Sequence, residues 1–331
     1  MKILITTGIY PPDIGGPAQY AKNLVDEFER LGYEVSVAHY TIEKRLPTGV
    51  RHLFFSLKAF KELISSRVAI AMDTFSVGVP TILVAKILRR RVIIRIAGDF
   101  LWETYVERTG DLITLKDFYT NPPHLSLRDR IVFFLTAKML PRANALVFST
   151  EWQREIFIKA YRLSREKTHV IGNYFPRQEE GLPPQQKNFV WATRPMKLKN
   201  GRRLYRAFAE ARRTNEDLIL DDGRYPYDVL MERIKSCYAI ILPSLSDVSP
   251  NLINDAIRYG KPFIMTRESG YTDLLQGVGI FIDPGSEESI TKAILELAEP
   301  ARYEVWKSKV KNFTYTHDYK QMAKEYVQLF K

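Results

Sequence analysis

The sequence predicts an α/β chain made of two Rossmann-like domains with parallel sheets. Three observations carry that expectation. Short apolar runs of strand length alternate with helix-length segments along most of the chain, the order that a parallel sheet with crossover helices requires. The 331 residues are enough for two domains of ordinary size, each with its own core. Residues 173–187 hold three Pro, three Gln and two Glu with no periodicity, which marks a linker near the middle. The expected domains are therefore residues 1–173 and residues 188–312, joined by a linker over 174–187.

Taken in order, Lys2 to Thr7 is an apolar strand and Gly8 to Gly16 a loop rich in Gly and Pro. Pro17 suits a first helical position, Ala18, Ala21, Leu24, Val25, Phe28 and Leu31 share one face, and Gly32 stops the helix. Glu34 to His39, Val68 to Met72 and Val92 to Ile96 are the next strands. Helices over Ser56 to Ile64 and Ser76 to Leu88 separate them. From Ala97 to about Ser126 the expectation is a long irregular stretch, a candidate substrate loop. Ser126 to Leu140 and Thr150 to Tyr161 read as helices around the strand Ala145 to Phe148, and His169 to Gly172 closes the first half. In the second half, strands are expected at Phe189 to Ala192, Asp217 to Leu220, Ala239 to Leu242 and Pro262 to Met265. Helices follow Gly201, Tyr227, Asn251 and Ser286, and the tail from Ala301 to Lys331 reads as helical.

Composition limits the class. Cys237 is alone, so no intrachain disulfide forms, and the few His form no zinc pattern. Asp221-Asp222-Gly223 reads as a turn rather than a metal site. No apolar run is long enough to span a bilayer, and a reducing cytoplasm fits. The net charge of +11, with runs at Lys86 to Arg91, Arg202-Arg203 and Arg212-Arg213, suits anionic lipid, nucleic acid or phosphorylated substrates alike. No recognition-helix or aromatic RNA motif accompanies the charge, so nucleic acid is not expected as a partner.

The most informative stretch runs from Ala239 to Asp273. A doubly buried strand is followed by a loop with Asp247, a short helix with Asp255 that ends at Gly260, and a second strand after Pro262. Such a unit presents its loop and its helix N-terminus at the carboxyl edge of a parallel sheet, where backbone N–H groups can hold an anion. Two carboxylates beside an anion site can accept from the hydroxyls of a ligand that is also phosphorylated.

Asp247 and Asp255, seven residues apart and followed by Gly260-Lys261-Pro262, resemble the hallmark of the retaining glycosyltransferases of family 4, where two Glu hold this spacing. The resemblance extends over nearly the whole chain. Gly15 and Gly16 match the family's N-terminal Gly-Gly loop, and Arg194 and Lys199 have the family's Arg and Lys spacing after the first strand of the second domain, with Lys197 a rival for the Lys. Three departures stand out. Asp replaces Glu at 247, 255 and 273, Gly98-Asp99 stands where a His motif is usual, and about one βα unit is missing after Leu220.

The resemblance implies a GT-B fold of two facing Rossmann-like domains, with a last helix over residues 313–331 that returns to the first domain. It implies transfer of a hexose from a nucleotide-sugar donor with retention, to a glycan or lipid-linked acceptor of the cell envelope, as in polysaccharide biosynthesis. Arg194, Lys199 and the helix start at Ser249, Pro250 and Asn251 would hold the departing diphosphate. Asp247 would bind donor-sugar hydroxyls and Asp255 the ribose, while Gly16 lets backbone approach the phosphate. Asp99 and Glu103 are acceptor-side candidates, and capping a turn is an equal expectation for Asp99. Neither a metal nor a cofactor is expected beyond the nucleotide-sugar. The expected location is cytoplasmic, peripheral at the inner face of an anionic membrane, with Lys58, Lys61, Lys86 and Arg89 to Arg91 beside Phe54, Phe55, Leu57, Phe60 and Leu63 as the contact. The alternative is a non-catalytic relative that binds a sugar nucleotide or a partner protein.

Overall fold

The computed structural model describes residues 1–13 and 15–331, so Ile14 of the first glycine loop lies outside the described residues. The chain divides into two compact units. The first comprises residues 1–101, 122–174 and 317–331; the second comprises residues 102–121 and 175–316.

In the first unit, strands β1 (Lys2–Thr7), β2 (Glu34–His39), β3 (Val68–Ala71), β4 (Arg91–Ile96), β5 (Ala145–Phe148) and β6 (Thr168–Val170) form one parallel sheet in the order β2-β1-β3-β4-β5-β6. Every residue of β3 and β5 is buried, as strands covered on both faces must be. Helices α1 (Gly16–Arg30), α2 (Thr48–Ser65), α3 (Gly78–Ile87), α6 (Leu127–Met139) and α7 (Glu151–Tyr161) supply the crossovers. Thr150 caps α7 by accepting from the Gln153 N–H, and Ser126 with Asp129 forms a capping box on α6.

The segment expected to be irregular is largely helical. It holds α4 (Phe100–Thr109) and α5 (Leu115–Thr120) before Pro122-Pro123 breaks the chain. Leu101, Trp102, Tyr105 and Val106 repeat at helical spacing and are buried, while Thr114 caps α5 by accepting from the Asp117 N–H. Helix α2 starts eight residues earlier than its periodicity suggests and is apolar on two sides. Phe55, Ala59 and Leu63 are core, whereas Leu53, Phe54, Leu57, Phe60 and Ile64 are exposed. Phe55 and Leu63 therefore leave the expected membrane contact, and so does Arg91, which opens β4 half-buried.

In the second unit, β7 (Lys187–Val190), β8 (Leu218–Asp221), β9 (Ala239–Leu242), β10 (Phe263–Thr266) and β11 (Ile280–Ile282) form a parallel sheet in the order β11-β10-β9-β7-β8. Helices α8 (Gly201–Thr214), α9 (Tyr227–Ser236), α10 (Asn251–Arg258), α11 (Glu287–Ala298) and α12 (Pro300–Lys311) accompany it. The stretch expected as a linker is laid along this unit from Phe175 onward. Phe175 is buried in its core, the Glu179 N–H donates to the Arg258 carbonyl, and Leu182 exchanges bonds with Lys235 and Lys261.

The helical tail is divided in two. Residues 312–318 interrupt it, and Asp318 starts α13 (Tyr319–Gln328) with a capping box to Gln321. Helix α13 returns to the first unit and packs on α1. Tyr326 is fully buried there, edge-on to Phe28, with its hydroxyl 3.3 Å from that of Tyr20. Phe330 meets both Phe28 and Tyr33, and the Arg95 guanidinium lies 3.5 Å above the Tyr20 ring.

Truncating Tyr326 to Ala should leave a large cavity in the first unit and cost about 3–5 kcal/mol. Tyr326→Phe should cost only about 1 kcal/mol, the worth of one hydroxyl contact. Denaturant unfolding of the two variants checks this, and equal midpoints would contradict the packing described.

Candidate functional site

The strand order of the second sheet reverses at β7, which has β8 on one side and β9 on the other. The connections leaving the carboxyl ends of β7 and β9 therefore diverge to opposite faces, and an open parallel sheet usually takes its ligand in the crevice at such a point. Apart from Glu103 and Asp273, the predicted residues of this unit lie on those two connections.

After β7, residues 191–196 lead to a short 3-10 turn, Lys197–Lys199, and then to α8. Gly201 opens that helix because a Cβ there would come within 2.5 Å of Cη2 of Trp191. After β9 comes the loop with Asp247, and then α10. The Leu245 N–H donates to the Leu198 carbonyl at 2.8 Å and ties the two loops together. Across them, Lys199 Nζ donates to Asp247 Oδ2 at 2.7 Å, with both side chains less than one-fifth exposed. Asp247 is held from behind as well. Its N–H donates to the Glu268 carbonyl at 3.0 Å, and its carbonyl accepts from the Gly270 N–H at 3.2 Å. Three successive loops at one sheet edge are thus stitched together around a single ion pair.

The other candidates fall as follows. Arg194 is exposed on the β7 connection. The rival Lys197 is spent elsewhere, donating to the Glu107 carbonyl at 2.8 Å. Ser249 is half-buried ahead of α10; Pro250 is the N-cap of that helix and Asn251 its first residue. Proline has no side-chain acceptor, so the N-cap residue leaves the first amides of α10 uncapped. Asp255 lies one turn further along, and Asp273 is exposed after Gly270. Gly16 and Asp99 belong to the first unit, where Gly16 begins α1 and Asp99 is buried just before α4. Glu103 sits on α4 in the part that belongs to the second unit. Asp221 and Asp222 form the expected turn, accepting from the Gly223 N–H and from the hydroxyls of Tyr225 and Tyr205.

Four residues at the site carry no sequence signal strong enough to single them out. Glu107 accepts from the Leu198 N–H at 3.2 Å, and Ser246 accepts from the Leu115 N–H at 2.9 Å, so residues 102–121 brace both loops of the ion pair. Asn200 is buried directly after Lys199. Glu268 is pushed above the usual carboxylate range by burial, and its Oε2 has no hydrogen-bond partner among the described residues. No group of His, Cys, Asp or Glu able to hold a metal is found among the described residues.

Comparison with solved structures places this architecture. Sucrose-phosphate synthase from Thermosynechococcus elongatus superposes with a TM-score of 0.71 at 12% identity, covering 100% of this chain and 98% of its own. The fold is GT-B. HepE from Anabaena, solved in complex with UDP-glucose, superposes at 0.70 with 14% identity over 99% of both chains. WaaG, a glycosyltransferase involved in lipopolysaccharide biosynthesis, gives 0.69 at 12% identity over 100% and 99%. No protein-family profile matches the sequence, and no curated protein does. Sequences this far apart share a GT-B backbone rather than a recognisable set of residues.

Burial raises the Asp255 carboxyl to about 7 against a smaller lowering by Arg258, whose guanidinium is turned to Glu179 at 2.9 Å. The folded chain keeps a proton that the unfolded chain releases near 3.8, so stability should fall as pH rises from 3.8 to about 7. The slope should reach at most about 1.4 kcal/mol per pH unit. Asp255→Asn should flatten it in urea titrations across that window, and an unchanged slope would assign it to another group.

Proposed function

We propose that the protein is a glycosyltransferase that moves a hexose from a nucleotide-sugar donor to a glycan or lipid-linked acceptor, with retention and without a metal ion. One observation carries the proposal: the Lys199–Asp247 pair sits where the second sheet reverses its strand order, on the loop that leads into α10, whose N-cap residue is a proline. A diphosphate entering that crevice would meet the Lys199 ammonium, the exposed Arg194 guanidinium and the first amides of α10. These groups match the charge that develops on a departing diphosphate. As Lys199 turns to phosphate, Asp247 would be released to accept from donor-sugar hydroxyls, and Asp255 would meet the ribose. Under a same-face mechanism the leaving oxygen takes the acceptor proton, so no protein nucleophile is required. The donor class is supported by a fold shared with a protein solved with UDP-glucose.

We further propose a peripheral station at an anionic membrane, where Asp99 and Glu103 would meet the acceptor. Leu53, Phe54, Leu57, Phe60 and Ile64 of α2 form an exposed stripe, and α2 packs on α3, which exposes Leu83 and Ile87. Helix α6 packs on α3 in turn and exposes Leu127, Ile131 and Phe134. The same three helices and the residues just past α3 also expose Lys61, Lys86, Arg89, Arg90, Arg128 and Lys138. Exposed apolar residues and cations on the same helices complement an anionic bilayer, at about 1 kcal/mol per basic residue near the surface. No described helix is long and apolar enough to cross the membrane.

A panel of UDP-, GDP- and ADP-sugars tests the chemistry. Lys199→Ala or Arg194→Ala should lower turnover roughly a hundredfold with the fold intact, because removing one donor to a developing anion costs about 3 kcal/mol. Wild-type rates in both variants would remove the phosphate assignment, and nucleotide binding without turnover would favour the non-catalytic alternative. Flotation tests the membrane: anionic vesicles should retain the protein, Leu57→Asp should abolish retention, and Arg89→Glu with Arg90→Glu should weaken it in low salt. Equal retention by neutral and anionic vesicles would rule out the charged component.

A further inference from the structure

Asn200 stands between Lys199 and the first residue of α8, and it is 2% exposed. Its backbone is left-handed, at φ 61°, a conformation that asparagine tolerates better than most side chains. Its side-chain amide reaches across the ends of the strands. Nδ2 donates to the Pro243 carbonyl just past β9, at 2.9 Å, and to the Pro284 carbonyl just past β11, at 2.8 Å. Oδ1 accepts from Nη1 of Arg203 at 3.2 Å. The backbone is equally engaged, with the N–H donating to the Lys197 carbonyl and the carbonyl accepting from the Leu204 N–H. Both donor hydrogens and the acceptor oxygen of the amide are therefore satisfied inside the protein.

This clamp acts on the residue immediately before it. The Lys199 N–H is fixed to the Met196 carbonyl at 2.9 Å, and its ammonium meets Asp247 across the crevice. We infer that Asn200 is a positioning residue for Lys199: its amide fastens the 3-10 turn to the ends of β9 and β11, so that a diphosphate meets a cation already held in place. The inference rests on the donor site proposed above and adds a residue that touches neither the donor nor the acceptor. A lysine on an unclamped loop would have to be ordered when the donor binds, at a cost in affinity and rate.

The test compares Asn200→Gly, which keeps the left-handed backbone and removes only the amide, in the wild-type chain and in Lys199→Ala. In the wild-type chain Asn200→Gly should weaken nucleoside diphosphate binding and lower kcat/KM for the donor by about tenfold or more. In the Lys199→Ala chain the same change should alter both by less than about twofold, because sites that act as a unit are not additive. An unchanged kcat/KM, or an equal loss in the two backgrounds, would reduce Asn200 to a structural role and overturn the inference. Should Asn200→Gly fail to fold, Arg203→Ala, which frees one end of the amide, should give a smaller loss with the same dependence on Lys199. A wild-type chain that binds no nucleoside diphosphate and turns over no donor would instead remove the glycosyltransferase reading, and this inference with it.

Discussion

The reversal of strand order at β7 is the constraint on which the second unit depends. Once β8 lies on one side and β9 on the other, the loops leaving β7 and β9 part and their backbones open a crevice. The Lys199–Asp247 pair joins the two loops, the Leu245 N–H and the Leu198 carbonyl tie their backbones, and α10 starts from the second of them. Both side chains are mostly buried, so their attraction does little more than offset the desolvation of two charges. Its consequence is geometric, since a cation and an acceptor oxygen are kept within reach of one ligand.

The alternation of strands and helices is legible in the sequence because each element obeys one period. Doubly buried strands such as Ala239–Leu242 read as unbroken apolar runs, and α1 and α10 show their buried faces at helical spacing. Asp247 and the start of α10 stand out by the spacing around Gly260-Lys261-Pro262, and Lys199 by its spacing with Arg194 after the first strand of the second domain. What stays hidden depends on contacts distant in sequence. Nothing near Glu107 signals that it meets the Leu198 N–H ninety-one residues away, and Ser246 looks like any loop serine until Leu115 is placed against it. Asn200 is an intermediate case. Its position before Gly201 hints at a left-handed turn, but the two carbonyls it holds cannot be read from a local pattern.

Residues 97–126 show how a mixed signal misleads. Gly98, Asp99, Gly110 and Asp111 look like loop punctuation, and the short apolar groups between them fall below the length at which helical periodicity is convincing. The helices form because their apolar faces are buried in tertiary contacts, a contribution that outweighs weak local propensity. The same segment belongs to both units, with α4 beginning in the first and continuing in the second.

The division of the chain also bears on synthesis. The first unit is discontinuous: most of its sheet and helices come early, yet α13, which supplies Met322, Ala323 and Tyr326 to its core, comes after the whole second unit. During translation the first sheet therefore emerges well before the helix that covers the buried face of α1. The aromatic cluster of Phe28, Tyr33 and Phe330 must wait across nearly three hundred residues of sequence separation, a loop closure of high entropic cost. Meanwhile the second unit, apart from residues 102–121, is one continuous stretch that can complete its own core first. Until α13 emerges, the face of α1 that it buries has no cover from its own chain, and exposed apolar surface of that kind is what chaperones and aggregation compete for.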